Sequence, residues 1–161
     1  MKTLHIVRHG KALQDYQALQ DYDRPLIEKG IVNNIFIAKQ LREVYASPGL
    51  IISSFAARAL HTAHIFAQVM KYPHERVQVN ANLYLEGDEE IFNILERLPD
   101  ELETVMIVGH NPDVTSMAIA YGCVTVSIPT SGVVSICFKA DRWNEINKSN
   151  VVQTQKFFIE K

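Results

Sequence analysis

His9 and His110 each follow a short apolar run of strand type, Leu4-His5-Ile6-Val7 in one case and Val105-Met106-Ile107-Val108 in the other, and each has a glycine beside it. Arg8 precedes the first histidine. Arg58 follows a third apolar run, Leu50-Ile51-Ile52, that ends on Ser53-Ser54. An unprotonated imidazole is a nucleophile toward phosphorus. A guanidinium is a permanent planar cation that fits phosphate oxygens in a fork. Two of each at the carboxyl ends of strands, where open α/β sheets bind ligands, point to phosphoryl transfer. In that chemistry His9 attacks phosphorus to give a phosphohistidine that water hydrolyses. Arg8 and Arg58 hold the oxygens, and His110 adds a donor. Asn111-Pro112 reads as a helix N-cap and first helical residue, which would turn free N–H groups toward the same anion.

The elements that position these residues alternate along the chain. Ile27, Ile31, Ile35, Ala38, Leu41 and Tyr45 recur at steps of three and four, predicting a helix that ends before Pro48-Gly49. Leu60, Ala63, Ala67 and Met70 mark a second helix, broken at Tyr72-Pro73 and followed by a short strand, Val77 to Val79. Asp88 reads as the N-cap of a third helix, with Glu89 and Glu90 in its first turn. The fourth helix opens at Asn111-Pro112, and Val133 to Phe138 and Val151 to Ile159 read as strands. The expectation is an α/β fold of three layers, a mainly parallel central sheet with helices on both faces, in one domain over residues 1–161.

Bulk composition narrows the function classes. The chain has 161 residues, 47% hydrophobic, with a formal charge of −2. That balance gives no general attraction to nucleic acid or an anionic membrane surface, so anion-binding charge must be local. Two cysteines, Cys123 and Cys137, without CxxC spacing, and no apolar leader or spanning segment, point to a reducing cytoplasm. His61 and His64 stand three apart and could share a helix face, but two ligands without a third donor make a poor zinc site. His5 alternates into a buried strand as a structural residue, and His74 follows Pro73 in a loop. No metal or cofactor is implied.

Arg8-His9-Gly10, the stretch from Ser53 to Ala63 around Arg58, and Gly109-His110-Asn111-Pro112, in that order, resemble the histidine phosphatase (phosphoglycerate mutase-like) superfamily. Asp23-Arg24-Pro25-Leu26 followed by Gly30, with the short chain, resembles the SixA-type phosphohistidine phosphatases within it. The resemblance covers residues 3–138. It implies His9 as nucleophile, a phosphate pocket of Arg8, Arg58 and His110, and Arg24 as an auxiliary residue at the mouth. Phe55 and His61 depart from the second motif, which usually has proline and glutamine there. Many members carry a carboxylic acid that protonates an oxygen leaving group, in a segment corresponding to Tyr84-Leu85-Glu86-Gly87-Asp88. SixA-type members are atypical at that point, which leaves Glu86 and Asp88 as candidate acids only. The partner implied is a phosphohistidine-bearing protein. The alternatives are a phosphatase of small phosphate esters and a non-catalytic module that binds phosphate or a phosphoprotein.

Overall fold

The computed structural model describes residues 1–14, 17–122 and 127–159. Among these residues six strands form one sheet: β1 (Lys2–Arg8), β2 (Leu50–Ser53), β3 (Gln78–Val79), β4 (Thr104–Gly109), β5 (Val133–Phe138) and β6 (Val151–Phe157). Their order is β3-β2-β4-β1-β5-β6. Strands β1, β2, β3 and β4 pair in parallel, and β5 pairs antiparallel with β1 and with β6. The sheet is mainly parallel, as the alternation of patterns predicts.

Among the described residues four α-helices cover it: α1 (Glu28–Val44), α2 (Ala57–Val69), α3 (Asp88–Glu96) and α4 (Asp113–Ala120). Because successive strand residues point to opposite faces, β1, β2, β4 and β5 each feed two cores. Leu4, Ile6, Ile52 and Ile107 pack with Ile91 and Leu95 of α3 and Val114 and Met117 of α4. Val7, Ile51, Met106 and Val108 pack with Ile37 and Leu41 of α1 and Ala63 and Phe66 of α2. Both faces are therefore buried, which is why β1, β2 and β4 read as unbroken apolar runs. His5 lies on the α1 side, edge-on to Tyr45 at 4.8 Å between ring centroids, with Nδ1 2.7 Å from Ser135 Oγ.

Three helix starts differ from the sequence expectation. α2 begins at Ala57, three residues before its first conspicuous apolar residue, because buried Ala56 and Ala59 already belong to its inner face. The N-cap of α3 is Gly87, at φ +95°, not Asp88, which is the first helical residue. Glycine reaches that backbone conformation without a Cβ penalty. The cap of α4 is Pro112, after a cis Asn111-Pro112 bond, rather than Asn111. At the far end, β6 stops at Phe157, two residues short of Ile159. Cys137 is half-buried on β5 with a free thiol, and Cys123 lies outside the described residues. Among the described residues no helix is long and apolar enough to cross a membrane.

Candidate active site

Strand register brings the two histidines together. In the parallel pair β1·β4, Arg8 lies opposite Gly109, so His9 and His110 emerge side by side from adjacent strand ends. The His9 N–H donates to the Gly109 carbonyl (3.1 Å), and the rings stand 5.0 Å apart. One strand further on, the Ser54 N–H donates to the Val108 carbonyl (3.0 Å) and the chain turns into α2, whose second residue is Arg58.

Hydrogen bonds fix the protonation pattern. His9 Nδ1 lies 2.7 Å from the Gly10 carbonyl, which only accepts, so Nδ1 carries the proton and Nε2 keeps its lone pair. That lone pair receives the Arg58 Nε–H at 3.3 Å. Burial lowers the His9 pKa to about 4; the Gly10 carbonyl opposes this, and the charges of Arg58, Arg8 and Arg24 reinforce it. At neutral pH the ring is therefore neutral, with the unprotonated Nε2 facing the Arg58 guanidinium. Arg58 Nη2 donates to His110 Nδ1 (3.3 Å), which leaves Nε2–H to donate to Ser54 Oγ (2.8 Å). Burial, then neighbouring His9 and Arg58, lower His110 to about 3. In this resting state Nδ1 of His110 accepts, so the ring must take up a proton before it can act through Nδ1 as the expected donor. Arg8 Nη1 donates to the Ile128 carbonyl (2.9 Å), while its Nε is buried without a partner among the described residues. An unpaired buried donor is costly, and a phosphate oxygen would satisfy it.

A buried hydrogen-bond network fastens the segment that carries His9. The Gly10 N–H donates to Thr62 Oγ1 (2.9 Å), and that hydroxyl donates to the Arg58 carbonyl (2.7 Å). Asn34 of α1 donates to the same hydroxyl (3.0 Å) and accepts from Ser131 Oγ (2.7 Å), while the Ser131 N–H donates to the His9 carbonyl (3.1 Å). Gly30 belongs to this arrangement. A Cβ there would lie 2.3 Å from the Lys11 carbonyl, so only glycine lets α1 approach the segment leaving His9.

The cavity above these residues measures about 340 Å³ and is lined by Arg8, His9, Arg58 and His110, with Arg24, Asn111 and Leu85 at its rim. Five of the sequence candidates thus converge with Arg24 beside them. Asn111 is already committed: Nδ2 donates to the Ile128 carbonyl (3.0 Å) and Ser127 Oγ (2.8 Å), and Oδ1 accepts from Thr115 (2.7 Å). The first turn of α4 is complemented by its own Asp113, whose buried carboxylate accepts the Gly87 N–H at 3.1 Å. Neither Glu86 nor Asp88 lines the cavity.

Among the described residues the one carboxylate that does is Asp21, which sequence reasoning missed. Its Oδ2 lies 3.0 Å from Arg58 Nη2 and accepts from the Tyr84 hydroxyl; its Oδ1 lies 2.9 Å from Arg24 Nε; its carbonyl accepts from Arg58 Nη1 (2.8 Å). Partial burial raises the Asp21 pKa, but the hydrogen bonds from Tyr84 and Arg58 outweigh it and hold the carboxyl at about 2. Arg24 also donates to the Leu13 carbonyl at 2.7 Å. Phe55 packs on Tyr84 (4.9 Å) and Tyr22 (5.5 Å), so the residue that departs from the motif forms part of an aromatic rim. Away from the cavity, His64 pairs with His74, Nδ1 to Nδ1 at 2.9 Å. Among the described residues no three histidine, cysteine or acidic side chains form a metal-binding group.

The sheet order and its covering helices are those of the phosphoglycerate mutase-like fold. The protein histidine phosphatase SixA complexed with tungstate superposes with a TM-score of 0.77 at 20% identity, covering 94% of this chain and 95% of that one. The mycobacterial glucosyl-3-phosphoglycerate phosphatase superposes at 0.63 with 15% identity, covering 97% of both chains. No protein-family model matches the sequence. An uncharacterized protein of Picosynechococcus sp. is 34% identical over 125 residues, 74% of this chain and 73% of that one. An uncharacterized chloroplastic protein of Arabidopsis thaliana is 27% identical over 153 residues, 89% and 70%. The chain belongs to the same family as the Picosynechococcus protein.

Proposed function

We propose that this protein is a phosphatase that works through a phospho-His9 intermediate and removes phosphate from a protein phosphohistidine. His9 Nε2 attacks phosphorus in line while Arg8 and Arg58 neutralise the equatorial oxygens. Water then attacks the phospho-His9, releasing phosphate and restoring the neutral ring. The positive charge comes from guanidinium groups, so the reaction needs no divalent ion.

One observation carries the choice of substrate: the carboxylate at the cavity, Asp21, is pinned as an anion, and Glu86 and Asp88 lie outside the lining. A serine leaving group departs as an alkoxide, comparable in basicity to hydroxide from water at a pKa of about 15.7, unless an acid protonates it. An imidazole leaving from a ring protonated on its other nitrogen departs neutral, with a conjugate acid of pKa about 6.5. A pocket rich in cations and poor in proton donors is matched to P–N cleavage. The SixA fold likeness supports the same reading. The test is phosphate release from a phosphorylated histidine-containing protein against a phosphoserine peptide at matched concentration. Higher kcat/KM on the phosphohistidine protein is expected. Equal or higher efficiency on phosphoserine overturns the assignment in favour of an ester phosphatase.

A further inference from the structure

Asp21 sits awkwardly for a pocket that only grips phosphate. It is an anion on the same guanidinium that must hold a doubly charged phosphoryl group, and its side chain is 47% exposed at the cavity mouth. Setting like charges side by side at the mouth of the cavity is unfavourable unless a positive charge accompanies the second anion. A phosphohistidine protonated on its far ring nitrogen brings such a charge, adjacent to the phosphoryl group. The nucleophile offers a parallel, since the Gly10 carbonyl holds the proton on the far nitrogen of His9 and leaves the near nitrogen to bond phosphorus. A symmetric transfer between two imidazoles calls for an acceptor on the far nitrogen of the departing ring as well.

We propose that Asp21 is the subsite for the leaving imidazole: its carboxylate accepts the N–H of the unphosphorylated ring nitrogen while phosphorus passes to His9. The bond from His9 Nε2 to phosphorus forms as the substrate P–N bond breaks. The electron pair of that bond stays on the departing nitrogen, and the ring leaves as neutral imidazole with its far N–H still on Asp21. Tyr84, Arg58 and Arg24 fix the carboxylate in place, and they make Asp21 too weak a base to remove that proton. The inference rests on the phosphohistidine reading and adds the group that recognises the donor ring.

The experiment measures kcat/KM from pH 5 to 9 on a phosphohistidine protein and on an aryl phosphate, in wild type, Asp21→Asn and Asp21→Glu. The aryl leaving group has no N–H to offer, yet it uses the same Arg58. The ratio of phosphohistidine to aryl phosphate efficiency is expected to fall at least tenfold in Asp21→Asn and to recover in part in Asp21→Glu. The alkaline fall of the phosphohistidine profile is expected to move to lower pH in Asp21→Asn, because the donor ring loses help in staying protonated. A ratio unchanged from wild type, whether both activities fall together or neither does, overturns the proposal and leaves Asp21 as a brace for Arg58. Failure of the underlying reading shows separately, in the wild-type protein, as no preference for phosphohistidine over phosphoserine.

Discussion

Histidine burial makes this protein acid-sensitive, and His5 allows the size of the effect to be tested away from catalysis. Its ring is fully buried between β1, Tyr45 and Ser135, with Nε2 unpaired among the described residues. Burial lowers its pKa to about 4. Below the unfolded value of about 6.5 the unfolded chain binds a proton that the folded chain refuses, so stability is full above that pH and is lost on the way down to about 4. Between pH 7.5 and pH 5 the linkage amounts to about 2 kcal/mol for His5 alone, against a typical total of roughly 5–15 kcal/mol for a domain. His9 and His110 contribute in the same direction. The assay is urea unfolding at the two pH values in wild type and in His5→Phe, with His5→Gln as a second variant. With a urea slope of about 2 kcal/mol/M, the acid-induced drop in midpoint should be about 1 M smaller in the variants than in wild type. The comparison is of two differences, so a lower starting stability does not disturb it. An identical drop in wild type and both variants refutes the reasoning.

Replacing His9 with alanine should abolish turnover, and in wild type a rapidly quenched phosphoenzyme should survive alkali and decay in acid; an acid-stable adduct, or trapping undiminished in His9→Ala, contradicts the mechanism. Arg58→Lys keeps the charge but loses the fork that spans His9, His110 and Asp21, so kcat/KM should fall by about 10²–10³. Because His110 must gain a proton to donate through Nδ1, tungstate affinity followed by calorimetry should rise by up to about tenfold per pH unit as pH falls from 8 to 6; a flat profile removes His110 as a donor. Gly30→Ala drives a methyl group into the Lys11 carbonyl and should cost about 1–3 kcal/mol in thermal or urea unfolding, with loss of activity.

The convergence of His9 and His110 on one cavity was legible in the sequence because each ends an apolar run. Runs buried on both faces announce parallel strands, and a histidine or serine pair that stops such a run is at once a strand end and a candidate ligand. Register then did the rest, placing His9 beside His110 through the pairing of Arg8 with Gly109. Asp21 left no such mark. It stands in a polar stretch without periodicity, and its meaning comes from Arg58, 37 positions away, folding back onto it. Helix starts were blurred for a related reason: periodicity reports the apolar face, whereas the entry into α3 is set by the positive φ of Gly87 and that into α4 by Pro112. Arg24 illustrates an intermediate case, since the stretch Asp23-Arg24-Pro25-Leu26 marks it in the sequence while the carboxylate it meets is Asp21.

The network joining Gly10, Thr62, Asn34 and Ser131 ties down the segment that carries His9, while Asp21, Arg24 and Leu85 line the cavity from two other segments and Tyr84 holds Asp21. Reactivity and selectivity are thereby lodged in separate inheritances. On the proposed function, a lineage can exchange its rim residues, and with them the molecules it serves, while the floor stays untouched. Changes to the floor have no such freedom, since Thr62 Oγ1 already accepts from two groups and donates to a third. Divergence among descendants of this chain should therefore be written in residues 13–24 and 81–87 long before it reaches the histidines.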